Sequence, residues 1–123
     1  MKRLESQEDY LEKILQLSKE KDNVHAIDIA RALSFSKPSV SAAMNKLKEL
    51  GYIEINKKGE IILTTEGLVI AEKTLEKHEM LTELLIDLGV DEETAREDAC
   101  RIEHDISDKT WGAIKNHVRQ NKK

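Results

Sequence analysis

Cys100, Glu103 and His104 stand at i, i+3 and i+4 around the only cysteine of a 123-residue chain. On a helix that spacing puts all three on one side, about one turn deep. A thiolate, a carboxylate and an imidazole together form a transition-metal donor set of intermediate softness. The competing reading is a half-buried cysteine beside a surface Glu–His pair, and the trio alone does not separate the two. His78 shifts the balance. It lies on the line of Ala71, Leu81 and Leu85, so it is expected to face inward, and the helix that follows carries a metal-binding face with no other use. Asp9 and Glu12, at i and i+3 near the start of the chain, are further oxygen donors. Taken alone they read as a solvated acidic first turn that complements the helix dipole. His25 and His117 have no comparable neighbours.

The elements that must position these groups are mostly helices. The first is expected over 6–21, with Leu11, Ile14 and Leu15 at helical spacing and Ser6 with Asp9 to cap its start. A short amphipathic helix follows within Val24–Leu33. Ser36 caps a third that opens Lys37-Pro38-Ser39, with proline in the first turn, where its missing N–H is not needed. This helix continues through Val40, Met44, Leu47 and Leu50 to a stop at Gly51. Two such helices about a turn apart make a helix-turn-helix. The period then changes. Residues 52–55 and 60–63 read as short strands around Asn56-Lys57-Lys58-Gly59, and that order is the order of a winged helix. The longest helix spans about 65–88 and ends at Gly89. Another is capped by Asp91 and spans about 92–106, with Ala95, Ala99, Ile102 and Ile106 as its apolar stripe. A last helix runs from Ser107-Asp108 through Trp111, Ile114 and Val118 into a basic tail. The apolar surface of these three helices exceeds what a small winged helix covers, so a homodimer is expected.

The chain as a whole bounds the function. Hydrophobic residues are 39%, charged residues 36% and aromatics 3%, with one proline and five glycines. That composition favours a soluble, aliphatic-cored, mainly α fold. No run reaches the length of a membrane span and no secretory signal is evident, so the expected setting is cytoplasmic and reducing, without a membrane partner. The net charge is −4, yet residues 1–64 are near neutral, with 11 Lys/Arg against 10 Asp/Glu, whereas residues 65–123 hold 9 against 14. Lys37, Lys46, Lys48, Lys57 and Lys58 face only Glu49 and Glu54 between residues 35 and 59. Those lysines fall on the second helix of the pair and on the hairpin tip, the two elements that a winged helix presents to DNA. Ser36, Ser39, Ser41 and Asn45 add short hydrogen-bonding groups there. A solvated helix face and a protein-interaction winged helix are the alternatives.

The runs Glu8-Asp9-Tyr10-Leu11-Glu12, Ser36-Lys37-Pro38-Ser39-Val40-Ser41, Lys77-His78-Glu79 and Asp98-Ala99-Cys100-Arg101-Ile102-Glu103-His104, with Ser107-Asp108, occur in this order across nearly the whole chain. Together they resemble the diphtheria toxin repressor family of iron- and manganese-dependent transcriptional repressors. The resemblance implies a winged-helix DNA-binding domain over 1–64 and a helical metal-binding and dimerisation domain over 65–123, without the SH3-like domain that some members add. It implies that Asp9, Cys100, Glu103 and His104 surround a principal metal and that Glu12 and His78 match the extra ligands of the manganese branch. It also implies that Ser36, Pro38 and Ser39 meet DNA. Asp9 is of the manganese type and Cys100 of the iron type. Thr82 and Arg96 stand where iron-type members carry ancillary ligands. Ala42 stands where some members carry a DNA-reading glutamine.

These residues lead to an expected mechanism. Metal held by both domains orders two winged helices for operator half-sites on double-stranded DNA, and the resemblance implies that the output is repression of metal uptake genes. Thiolate favours Fe(II) and carboxylate Mn(II), so Fe(II) leads with Mn(II) close behind, and Co(II), Ni(II) or Zn(II) should bind in vitro. The rivals are a metal-independent winged-helix regulator and, more remotely, a metal-dependent hydrolase. Glu103 used as a ligand is unavailable as a general base, which argues against an enzyme.

Overall fold

The computed structural model describes residues 7–121. Six helices and one two-stranded antiparallel sheet occur among them: α1 Gln7–Glu20, α2 Ala26–Leu33, α3 Lys37–Glu49, β1 Ile53–Ile55, β2 Ile61–Leu63, α4 Thr65–Asp87, α5 Glu92–Ile102 and α6 Asp108–Gln120. The expected cap from Ser6 and the last two lysines of the basic tail lie outside the described residues. The chain forms two compact units that divide between Lys73 and Thr74, inside α4. None of the described helices is long and apolar enough to cross a membrane.

The N-terminal unit is a helix-turn-helix with a small wing. Leu11, Ile14, Ile29, Val40, Met44, Leu47 and Ile53 are almost fully buried, so α1, α2, α3 and β1 each contribute one apolar face to its core. Tyr10 of α1 meets Phe35 edge-on, with ring centroids 6.1 Å apart. Helix α2 ends at Ser34, whose φ of 60° places a side-chain-bearing residue in the left-handed region that usually favours glycine. Ser36 caps α3, its Oγ accepting from the backbone N–H of Ser39 at 3.3 Å. In the hairpin Ile53 pairs with Leu63, Glu54 with Ile62 and Ile55 with Ile61. The outer edge of β2 is anchored by the Ile61 N–H donating to the Val24 carbonyl at 2.8 Å.

Gly67 is required by close approach. A Cβ built there would sit 2.0 Å from the Tyr52 carbonyl oxygen, so the first turn of α4 lies against the strand entry with no room for a side chain. Thr64 reinforces the junction. Its Oγ1 donates to the Gly51 carbonyl at 2.7 Å and accepts from the Gly67 N–H at 3.1 Å.

In the C-terminal unit Leu81 of α4, Ala99 of α5 and Trp111 of α6 form the buried centre, with Met80, Ile102, Ile106 and Ile114 packed around it. Asp91 and Ser107 cap α5 and α6 as expected, accepting from the Thr94 and Thr110 N–H groups. The helix expected over 92–106 ends at Ile102. Glu103 keeps right-handed helical geometry as the C-cap, and its N–H still donates to the Ala99 carbonyl. The Asp105 N–H then donates to the Ile102 carbonyl three residues back, which tightens the chain into a turn toward Ser107.

Candidate metal centre and nucleic-acid interface

The last turn of α5 positions the donor trio. Cys100 lies within the helix, Glu103 closes it and His104 follows in the turn. The helical register nevertheless persists through Glu103, and ligand atoms of Cys100, Glu103 and His104 lie within 4.8 Å of one another. The Glu103 side chain is fully buried. One of its oxygens faces His78 Nδ1 across from α4 at 3.1 Å, and the other faces His104 Nε2 at 3.4 Å. His78 is largely inward, with its side chain 16% exposed. Ala99, fully buried beside Cys100, allows α5 to approach Leu81 and so brings His78 to Glu103.

A carboxylate removed from water between two imidazoles needs positive charge or strong donors to hold it. A divalent cation satisfies that requirement, because neutral imidazoles, a carboxylate and a thiolate are all ligands for borderline metals. Asp9 and Glu12 belong to the N-terminal unit, one turn apart on α1. They are only 5% and 8% exposed, which overturns the solvated reading of that acidic turn. Burying two carboxylates one turn apart carries a desolvation cost that pairing or hydrogen bonding must offset.

Beside His78, Thr82 and Arg96 each have a partner within the protein. The Thr82 hydroxyl donates to the His78 carbonyl at 2.7 Å, and Arg96 is paired with Glu92 at 2.7 Å. Both side chains are thereby committed to protein partners at the edge of a cavity of about 260 Å³ that His78, Glu79, Glu83 and Ile86 complete.

On the other unit, every residue expected at DNA from α3 and the hairpin is on the surface. Ser36, Lys37, Pro38, Ser39, Ser41, Asn45, Lys46, Lys57 and Lys58 are all exposed. Ser36 doubles as the N-cap of α3 and its hydroxyl also meets the Ser39 hydroxyl at 2.9 Å. The hairpin tip depends on a residue that sequence reasoning passed over. Asn56 Oδ1 accepts from the Lys58 and Glu60 N–H groups at 3.0 and 2.9 Å, while its Nδ2 donates to Glu60 at 2.7 Å. Asparagine opening a turn with a positive-φ glycine three residues later is the signal that marks it. At the start of α2 the His25 backbone N–H donates to Asp28 at 2.8 Å. That bond is the main reason the Asp28 carboxyl lies below its ordinary range, with the Lys21 ammonium at 2.9 Å assisting.

Two family models match the chain. The N-terminal DNA-binding domain of iron-dependent repressors matches residues 3–61, and their metal-binding and dimerisation domain matches residues 64–123. The chain is 36% identical over 113 residues to an uncharacterised HTH-type transcriptional regulator of Methanocaldococcus jannaschii, covering 90% of each. It is 37% identical over 109 residues to the HTH-type transcriptional regulator MntR of Bacillus subtilis, covering 89% of this chain and 75% of that one. Among solved structures, the manganese regulator SloR superposes with a TM-score of 0.83 and 27% identity over 93% of this chain, which spans 54% of the SloR chain. A winged helix-turn-helix followed by a helical donor-bearing unit defines a class of metal-responsive transcription factors. The chain belongs to the iron-dependent repressor family. It is accordingly a metal-dependent, DNA-binding transcriptional regulator and not an enzyme.

Proposed function

We propose that the chain is a homodimeric repressor of metal uptake genes, activated by Fe(II) or Mn(II) bound through Asp9, Glu12, His78, Cys100, Glu103 and His104. The observation that carries this reading is the buried Glu103 carboxylate facing both His78 and His104, with the Cys100 sulfur in the same cluster. When bound, the metal supplies the positive charge that this cluster requires. Cys100 biases the choice towards Fe(II), whereas the carboxylates of Asp9, Glu12 and Glu103 keep Mn(II) competitive.

Asp9 and Glu12 belong to the DNA-binding unit and the other four donors to the C-terminal unit. Coordination by both sets restricts the freedom of one unit relative to the other. Operator half-sites have a set spacing, so a protein ordered beforehand binds them at lower entropic cost. Ser36, Lys37, Pro38, Ser39, Ser41, Asn45 and Lys46 of α3 and its cap meet the groove and its rim, and Lys57 and Lys58 of the wing meet phosphates.

The test is anaerobic titration of the protein with a pool of duplex DNA, with chelator and with Fe(II) or Mn(II) under reducing conditions. Metal-strengthened binding is the expected outcome. Affinity that neither metal nor chelator changes would instead identify a metal-independent winged-helix regulator, and metal analysis of the purified protein supplies a second, independent readout.

A further inference from the structure

Helix α3 buries Val40, Met44 and Leu47 at i, i+4 and i+7. Its opposite side is therefore the line Pro38, Ala42, Asn45 and Glu49, all exposed. Ser39 and Lys46 flank this line on one side and Ser41 on the other. The line begins at the N-terminal turn, the part of a recognition helix that reaches base edges. Pro38 has no polar side-chain atom, and Glu49 lies at the far end of the helix. Asn45 is the one side chain between them that carries a donor and an acceptor side by side. Asn56, on the same unit, commits its amide to the hairpin turn. The Asn45 amide makes no hydrogen bond to any described residue, so both of its functions face outward.

We infer that Asn45 and Ala42 are the base-reading pair of this chain, Asn45 taking the N7 and N6 edge of an adenine and Ala42 lying against the C5-methyl of a nearby thymine. An asparagine amide matches adenine bidentately in the major groove, and a methyl side chain matches thymine by apolar contact. The two positions are three residues apart, about 4.5 Å along the helix axis, which is on the order of one base step. Ala42 is too short to compete for a base edge, so discrimination passes to Asn45. The neighbouring Lys37, Lys46, Ser36 and Ser39 supply sequence-independent contacts to the backbone.

The inference rests on the regulator reading above, and the experiment separates the two. Sites are selected from randomised duplexes by the full-length, metal-loaded chain and by its Asn45→Ala variant. Exposed Asn45 on a helix tolerates alanine, the better helix former, so the variant folds. The wild type is expected to require adenine at one position of each half-site. Asn45→Ala is expected to lose about 5- to 150-fold of preference there, with affinity for unrelated duplex and the salt dependence unchanged. Replacing that adenine by 7-deazaadenine weakens the wild type and not the variant, and replacing the nearby thymine by uracil weakens the wild type and not Ala42→Gly. A variant that keeps the adenine preference, or that loses affinity equally for every base, overturns the pair alone. A wild type that selects no sequence in the presence of metal overturns the pair together with the regulator reading.

Discussion

Glu103 shows how single residues divide the work. Its carboxylate is fully buried and faces His78 of α4 on one side and His104, in the turn after α5, on the other. Glu103→Gln keeps the shape and removes the charge, and it should weaken Mn(II) or Fe(II) binding by at least about 100-fold, beyond the range typical of supporting groups. Isothermal or fluorescence titration of metal checks this, and retention of wild-type affinity would exclude Glu103 as a ligand. In the proposed site Cys100 would set selectivity, because its thiolate is the one soft donor among carboxylates and imidazoles. Cys100→Glu should move the DNA-binding response towards Mn(II) and away from Fe(II). An unchanged ratio of the two half-maximal concentrations would take Cys100 out of the selectivity argument. Asp28 belongs to stability rather than function. Its folded pKa is lowered by the His25 N–H and by Lys21, so its contribution is present above the ordinary carboxylate value of 3.8 and disappears as the pH falls through the lower folded value. Asp28→Asn should therefore be less stable than the wild type at neutral pH, and denaturation curves of the two should converge in strong acid.

Elements hold these groups through a few tight junctions. The wing meets the long helix where the Thr64 hydroxyl bonds to Gly51 and Gly67 lies against the Tyr52 carbonyl. Gly67→Ala forces a methyl group onto that oxygen and should cost roughly 1–3 kcal/mol, read as a lower denaturation midpoint together with weaker DNA binding from a displaced wing. The hairpin tip itself carries Lys57 and Lys58 on a turn that Asn56 organises. Replacing each lysine by alanine should reduce affinity uniformly across DNA sequences and lower the slope of log affinity against log salt by about one per residue. A variant that changes sequence preference instead would show that the wing reads bases.

At the scale of the molecule, charge and linkage set the behaviour. The chain carries −4 overall, yet the lysines of α3 and the hairpin face only two acidic residues between positions 35 and 59. On the proposed reading DNA affinity comes from this local basic surface and should fall steeply with ionic strength. If metal strengthens DNA binding by some factor, DNA must strengthen metal binding by that same factor. Metal titrations with and without duplex should return equal coupling in both directions, and unequal values would place an additional equilibrium, such as dimer dissociation, within the cycle.

Much of this was legible in the residue pattern. Helical periodicity located all six helices, because each buries one stripe, and the change to period two after Gly51 located the wing. Ser36, Asp91 and Ser107 announced their helices because a cap depends on one side chain and a backbone only three residues away. The i, i+3, i+4 spacing of Cys100, Glu103 and His104 brings their ligand atoms within 4.8 Å of one another for the same reason: local geometry propagates through one turn. Tertiary structure decided the rest. It ended α5 at Ile102 rather than at 106, where a turn leads to the next cap. It buried Asp9 and Glu12, whose hydrophilic type alone reads as surface. It brought His78 to Glu103 across 25 residues, through the packing of Leu81 on Ala99 and Trp111. Sequence spacing records contacts along a helix, whereas contacts between helices depend on the fit of side chains that lie far apart in the chain.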